Sequence, residues 1–301
     1  MNRPHGRPFA QEGNAPRGIG VRIIRAISLM LIAGGIALLA FIDGSDLYAQ
    51  WQAESHISQF SAVFDDSADP ARLECLRQAQ LYNEQLAGSG VHDGVAPYAR
   101  QLFYRHEPMM SYLEIPKIAV KLPIYHGTGD EELMAGVGHW EESSLPVGGR
   151  SAHCVLMAHS GMRNARMFDD LRKLEAGDRF TIWTLNDPYC YEVLDAKTVE
   201  PDAAPALLSI EDGRDLVTLV TCTPYGVNSH RLLVRAERCP YDGERMHDVG
   251  MEAYVNDRNL PFMAALALVA ACAAAGLATC VVREVRAHRM RPWDMRSDGY
   301  A

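Results

Sequence analysis

Apolar positions follow three different patterns along the chain. Residues 26–42 and 260–282 are uncharged runs of 17 and 23 residues, the second long enough to cross a bilayer and the first at the lower limit. Between them, one segment has a helical period: Leu73, Leu76, Ala79, Tyr82 and Leu86 make an apolar stripe, Asp69 and Pro70 supply a start, and Gly88 a stop. Residues 89–110 hold glycines and prolines with no steady period and read as a long loop, a length that usually carries function or disorder. From Ser111 the pattern shifts to short β-rich runs: SYLEI, KLPIY, HCVLMAH, DRFTIWTL, CYEVLDAKTVE, LVTLVTC and HRLLVRAER. Seven or eight such strands, broken by Gly, Pro and Asp, predict a sandwich or a closed barrel, with one helical turn at RMFDDLRKL between the third and fourth runs.

Charge assigns sides to this pattern. Arg3, Arg7, Arg17, Arg22 and Arg25 precede the first apolar run against Glu12 alone, and Arg283, Arg286, Arg289, Arg291 and Arg296 follow the second against Glu284, Asp294 and Asp298. Lys and Arg beside a span stay cytoplasmic, so both ends are expected inside and the domain between the spans outside. The whole chain carries −9 although its ends are basic, so the middle domain is strongly acidic and nucleic acid is excluded as a partner. No small-x-small cleavage site follows Ile42, which favours an uncleaved anchor over a signal peptide. In the second run Ala267, Ala271 and Ala275 recur every four residues, a spacing that admits a close helix neighbour but also suits an ordinary Ala-rich span.

Of seven cysteines, Cys272 and Cys280 fall in the second apolar run, leaving Cys75, Cys154, Cys190, Cys222 and Cys239 outside. An odd number in a compartment that permits disulfides leaves one thiol free, with the pairing of the others open. No CxxC or HExxH spacing supports zinc and no glycine-rich phosphate loop is present; Asp130–Glu132 and Glu141–Glu142 read as solvated charge rather than a calcium site. No cofactor or metal is expected.

Cys222 ends the run LVTLVTC, and Arg231 opens the next run after a loop turned by Pro224, Tyr225 and Gly226. Paired as an antiparallel hairpin, the two face each other across its mouth. A guanidinium beside a thiol favours the nucleophilic thiolate and offers donors to an oxyanion. The nucleophile also needs an acid/base, and histidine is the usual one. Among His56, His92, His106, His126, His139, His153, His159, His230 and His247, position favours His159, which ends HCVLMAH before a Ser-Gly turn. Taken singly, each residue has a plainer reading: a buried strand cysteine, a surface histidine, an arginine paired with an acid. Asn228 and His230 read as loop-shaping residues.

The segment TLVTCTPYGVNSHRLLVRA resembles the active-site signature of sortases, TLxTC followed by an arginine on the next strand, and its HRLLVR continuation is similar to the pilin-polymerising class C subgroup. Further resemblance lies in YLEIPKIAVKLPIYHGTGDEELMAGVGHWEESSLPVGGRSAHCVLMAHSGM and MFDDLRKLEAGDRFTI, so that it covers roughly residues 112–237, and the second apolar run also matches that subgroup. It implies a mainly β fold, a closed eight-stranded sortase-type barrel, with Cys222 as nucleophile, His159 as acid/base and Arg231 orienting substrate and stabilising the oxyanion. The implied reaction cleaves an LPxTG-like sorting signal through a thioacyl intermediate and passes it to an amine, in class C a pilin lysine. Two departures stand out: Ala158-His159-Ser160 replaces the family's Gly-His-Arg, and the loop HDGVAPYARQLFY lacks the Asp-Pro-aromatic lid motif, leaving Asp93 and Tyr98 as candidates for a degenerate lid.

The expected organisation is a cytoplasmic tail (1–25), a transmembrane helix or signal anchor (26–42), an extracytoplasmic helical segment with a lid-like loop (43–110), the catalytic barrel (111–240), a linker (241–259), a transmembrane helix (260–282) and a basic cytoplasmic tail (283–301). Expected partners are surface or pilin proteins with a C-terminal sorting signal, an amine acceptor (pilin lysine or peptidoglycan) and the membrane. The alternatives are a housekeeping or accessory sortase acting on peptidoglycan, a non-catalytic membrane scaffold, and a thiol protease.

Overall fold

A computed structural model describes residues 17–64, 68–90, 92–105, 107–162, 165–243, 267–271, 273–276 and 282. The tail before residue 17, residues 244–259, most of the second apolar run, the tail beyond it, His106 and His247 lie outside the described residues. Two compact units emerge, one of residues 1–41 and 261–301, the other of residues 42–260.

The second unit is built on eight strands: β1 (Met109–Ile115), β2 (Val120–His126), β3 (Val137–His139), β4 (Ala152–Met157), β5 (Arg179–Thr184), β6 (Asp187–Val199), β7 (Asp215–Thr223) and β8 (His230–Arg238). They close in the order β1-β2-β3-β4-β7-β8-β6-β5, with β5 returning to β1. Closure removes the free edges that a sheet of this size would otherwise expose. All seven runs read from the sequence are strands. The eighth, β3, is a three-residue piece after the short helix α3 (Asp130–Ala135), paired parallel to β2 and antiparallel to β4. The helical turn expected in RMFDDLRKL is a single 3₁₀ turn at Leu171–Lys173.

Side chains alternate across the wall. Leu156, Val217, Leu219, Val234 and Ala236 join the main core, whereas Val155, Val220 and Leu233 form a second cluster with Ala204 and Leu208 from the turns between β6 and β7. Three neighbouring strands thus bury both faces, which is why β7 reads as a nearly continuous apolar run rather than an alternating one.

Two helices precede the barrel. α1 (Arg17–Ala62) runs 46 residues and continues past residue 42, where the expected first span ends; its Ile57 and Phe60, with Phe64 just beyond, join the main core. Among the described residues no helix is long and apolar enough to cross a membrane, and Ile27, Met30, Leu31 and Ile32 are solvent-exposed. α2 (Pro70–Leu86) starts as expected, with the Asp69 carboxylate accepting from Ala71 N at 2.9 Å, and ends before Gly88 at φ +69°.

The expected apolar stripe of α2 is only half right. Leu73 and Leu86 are exposed, while the buried residues are Arg72, Ala79 and Asn83. Arg72 donates to Leu185 O at 2.7 Å and pairs with Asp187 at 2.5 Å. Asn83 donates to Leu145 O (3.0 Å) and Gly148 O (3.1 Å) and accepts from Leu145 N (2.7 Å). α2 therefore docks by satisfying backbone groups of barrel loops, which apolar periodicity does not register.

Candidate active site

Strand parity carries three of the sequence-predicted residues to one place. Cys222 shares its face of β7 with Val220, Arg231 shares its face of β8 with Leu233, and the face of β4 holding Val155 and Met157 continues to His159. All three therefore belong to the face that carries the second apolar cluster, at the end where β4 and β7 finish and β8 begins. Cys222 pairs directly with Arg231 in the β7–β8 ladder.

His159 lies two residues past β4, where the parallel ladder to β7 gives out, and three hydrogen bonds replace it. Ala158 N donates to Val220 O at 3.2 Å, Thr221 Oγ1 donates to Ala158 O at 2.8 Å, and Ser160 Oγ donates to Cys222 O at 2.5 Å. The residues flanking His159 are thus tied to Val220, Thr221 and Cys222, by two bonds donated from Ala158 and Ser160 and one donated back by Thr221. The following turn is held in the same way: Gly161 N donates to the Asp169 carboxylate at 2.6 Å, and Phe168 N to His159 O at 3.1 Å. Burial raises the Asp169 carboxyl even though that bond opposes the shift. Thr221 and Ser160 were not singled out by sequence reasoning, although alternation would have turned Thr221 away from the thiol and into the wall.

The loop beyond Cys222 is shaped by Asn228, left-handed at φ +59°, whose N–H donates to Pro224 O at 3.0 Å. Arg231 Nη1 donates to Asn228 O (3.2 Å) and His230 O (3.1 Å), which holds the guanidinium against its own loop. Ser229 Oγ and His230 Nδ1 lie 2.9 Å apart, in keeping with a loop-shaping role for His230. Tyr225 and Val227 stand 63% and 69% exposed at the tip, an apolar rim beside the thiol.

The lid candidates sit elsewhere. Asp93 is an exposed turn residue. Tyr98, on a 3₁₀ turn (Tyr98–Arg100), is anchored to β3: its hydroxyl meets His139 Nδ1 at 2.9 Å and accepts from Gly127 N at 2.9 Å, and its ring stacks on His139 at 5.6 Å. His139 Nε2 lies 2.9 Å from Ser144 O, so Nε2 carries the proton and Nδ1 accepts from Tyr98. Burial pushes the Tyr98 hydroxyl up and the His139 imidazole down to about 4. Tyr98 thus pins the loop before the barrel to its wall. A cleft of about 390 Å³ between the Tyr48–His56 stretch of α1, β2 and Ala165–Met167 includes none of Cys222, His159 and Arg231.

Comparison with known proteins matches this arrangement. The Sortase domain family profile matches residues 113–239. Sortase D of Bacillus subtilis is 31% identical over 113 residues, 38% of this chain and 54% of that protein. Sortase A of Bacillus anthracis is 27% identical over 126 residues, 42% of this chain and 57% of that protein, so the match spans about half the length of these curated relatives. Among solved structures, sortase C1 from Streptococcus agalactiae superposes with a TM-score of 0.57 at 42% identity, covering 62% of this chain and 98% of that one. Sortase C from Clostridium perfringens, solved with the C-terminal cell wall sorting motif, gives 0.56 at 39% identity over 63% of this chain and 100% of that one.

Proposed function

The chain belongs to the sortase family of cysteine transpeptidases, and we propose that it is a membrane-anchored, class C-type member joining surface proteins, with pilins as the expected substrates. The observation that carries this reading is the pairing of Cys222 with Arg231 beside a laced His159. The likeness to class C structures, one of them solved with a sorting motif, supports the substrate class.

The chemistry follows from the three residues. The Cys222 thiolate attacks the carbonyl carbon of the threonine of an LPxTG-like signal, and Arg231 stabilises the oxyanion of the tetrahedral intermediate. His159, as imidazolium, protonates the departing amine and leaves a thioacyl enzyme. An acceptor lysine with an ordinary pKa of about 10.4 enters mostly protonated, so it first gives one proton to water, and the now neutral His159 takes the second as the nitrogen attacks the thioester. The amide forms, the Cys222 thiolate leaves, and His159 is again an imidazolium. The buried cluster of Val155, Ala204, Leu208, Val220 and Leu233 packs the same face of the wall from which Cys222 and Arg231 project.

The apolar runs at 26–42 and 260–282, with their basic flanks, support anchoring with both termini inside and the barrel outside. The test is mass spectrometry on the detergent-solubilised full chain with an LPxTG-type peptide and a lysine-containing acceptor. A thioacyl adduct and an amide product, both lost in Cys222→Ala, are expected. Transfer only to a peptidoglycan-type amine would instead make it a housekeeping sortase. Carboxylate release alone despite added amine would make it a protease, and no adduct at all would leave the scaffold reading.

A further inference from the structure

Cys190 lies on β6, and Cys239 stands one residue past the end of β8. The β6–β8 ladder pairs Tyr191 with Arg238, so the next step along both strands sets Cys190 opposite Cys239. Cys239 N donates to Cys190 O at 2.9 Å, which extends the ladder by one rung. Opposed residues of an antiparallel pair have Cα atoms about 4.5–5.5 Å apart, inside the range of roughly 4.4–6.8 Å that a disulfide spans. The two sulfurs lie 2.8 Å apart. Cys154 is buried in the barrel and Cys75 lies on α2. Cys222 pairs with Arg231 at the opposite end of β8, about 26 Å from Cys239 at the usual rise of a strand.

We propose that Cys190 and Cys239 form a disulfide that fastens the last residue of the barrel wall to β6 and leaves the Cys222 thiol outside the exchange. The oxidant is a small-molecule or protein disulfide, the class that an extracytoplasmic compartment supplies. The half-exposed Cys239 thiolate attacks one sulfur of the oxidant and expels a thiolate. The buried Cys190 thiolate then attacks the Cys239 sulfur and expels the second. The two cysteines lose two electrons and two protons, and the oxidant becomes two thiols.

The bond has a mechanical role. β8 is the last strand of the barrel, and its far end is where the ladder would open first. A covalent rung there closes a loop of about 49 residues in the unfolded chain, which also stabilises the fold by limiting that chain's freedom. This inference does not depend on the transpeptidase reading, because its readout is a bond and a melting temperature rather than turnover.

The test uses the full chain, isolated without reductant, equilibrated with glutathione disulfide, alkylated in denaturant and digested with trypsin. A peptide of residues 180–197 joined to one of residues 239–245 is expected, two hydrogens lighter than their sum and split by reductant, with Cys222 alkylated. Reduction is expected to lower Tm by about 5–15 °C. A Cys190→Ala, Cys239→Ala double variant should melt with the reduced protein, ignore reductant and still acylate Cys222. Alkyl groups on both cysteines after oxidation, or a peptide joining either to Cys222, overturns the bond. A linked protein whose Tm ignores reductant overturns the fastening.

Discussion

Replacing Ser160 with alanine removes one hydroxyl and one hydrogen bond, yet its effect on turnover should far exceed its effect on stability. The bond runs from Ser160 Oγ to Cys222 O at 2.5 Å, and a neutral hydrogen bond contributes about 0.5–1.5 kcal/mol net. Against a domain stability of roughly 5–15 kcal/mol, that loss lowers Tm by only a few degrees. The same bond is one of two side-chain hydrogen bonds that hold the His159 segment beside Cys222 after β4 has ended, the other running from Thr221 Oγ1 to Ala158 O at 2.8 Å, beside the backbone bond from Ala158 N to Val220 O. A misplacement of about 1 Å at reacting groups costs on the order of 100-fold, so Ser160→Ala should lower kcat by about 10- to 100-fold with KM changed little. Ser160→Thr keeps the hydroxyl and should recover most of the rate. Thr221→Val should cost a similar amount, and the double variant less than the product of the two losses, since either change opens the same clasp. The assay is amide formation from a sorting-signal peptide and a lysine acceptor, with Tm measured on every variant. Wild-type kcat in Ser160→Ala, or a threonine variant no better than alanine, would refute the positioning argument.

Arg231→Ala should lower kcat by about 100- to 1000-fold as an oxyanion donor is lost, and Arg231→Lys should recover little because the guanidinium fork is gone; single-turnover thioacyl formation reads both. Asn83→Ala leaves Leu145 N, Leu145 O and Gly148 O without their partner and should destabilise the fold by about 2–4 kcal/mol, visible as a lowered urea midpoint at unchanged m-value. The wholly buried His139, lowered to about 4 from 6.5, stays neutral in the fold while the unfolded chain takes up a proton below about 6.5. Stability should therefore fall as pH drops from 6.5 towards 4, by about 3 kcal/mol from this residue, with the half-buried His126 and the buried His153 pushing in the same direction; an equal Tm at pH 7.5 and pH 5 would contradict this.

The barrel strands were legible because each carries enough β-branched and aromatic residues to mark it without tertiary information, as LVTLVTC and DRFTIWTL do. β3 was not: Val-Gly-His has no period, and it is a strand only because β2 and β4 flank it. The buried face of α2 was hidden for a related reason. Periodicity found Leu76, Ala79 and Tyr82, which pack on the core, but it could not find Arg72 and Asn83, whose targets include backbone groups about 60 to 110 positions away in the sequence. The end of the first apolar run misled differently, since α1 continues past Ile42 to Ala62 although hydrophobicity falls there.

The site divides along the same line. Cys222 and Arg231 could be paired from sequence because a short loop joins consecutive strands, and a hairpin's register is a local property. His159 needed the parallel β4–β7 pairing, whose partners lie about 60 residues apart, and without a resemblance its selection rested on a strand-end position alone. Tyr98 shows the limit of both routes. Its place in a loop before the barrel suggested a cover over the thiol, whereas its hydroxyl and ring are committed to Gly127 and to His139. A side chain that closes and opens over a nucleophile must leave its closed contacts at little cost. Moving Tyr98 would strand the buried His139 Nδ1 without its donor, a penalty of about 1–3 kcal/mol that makes this residue an anchor of the loop.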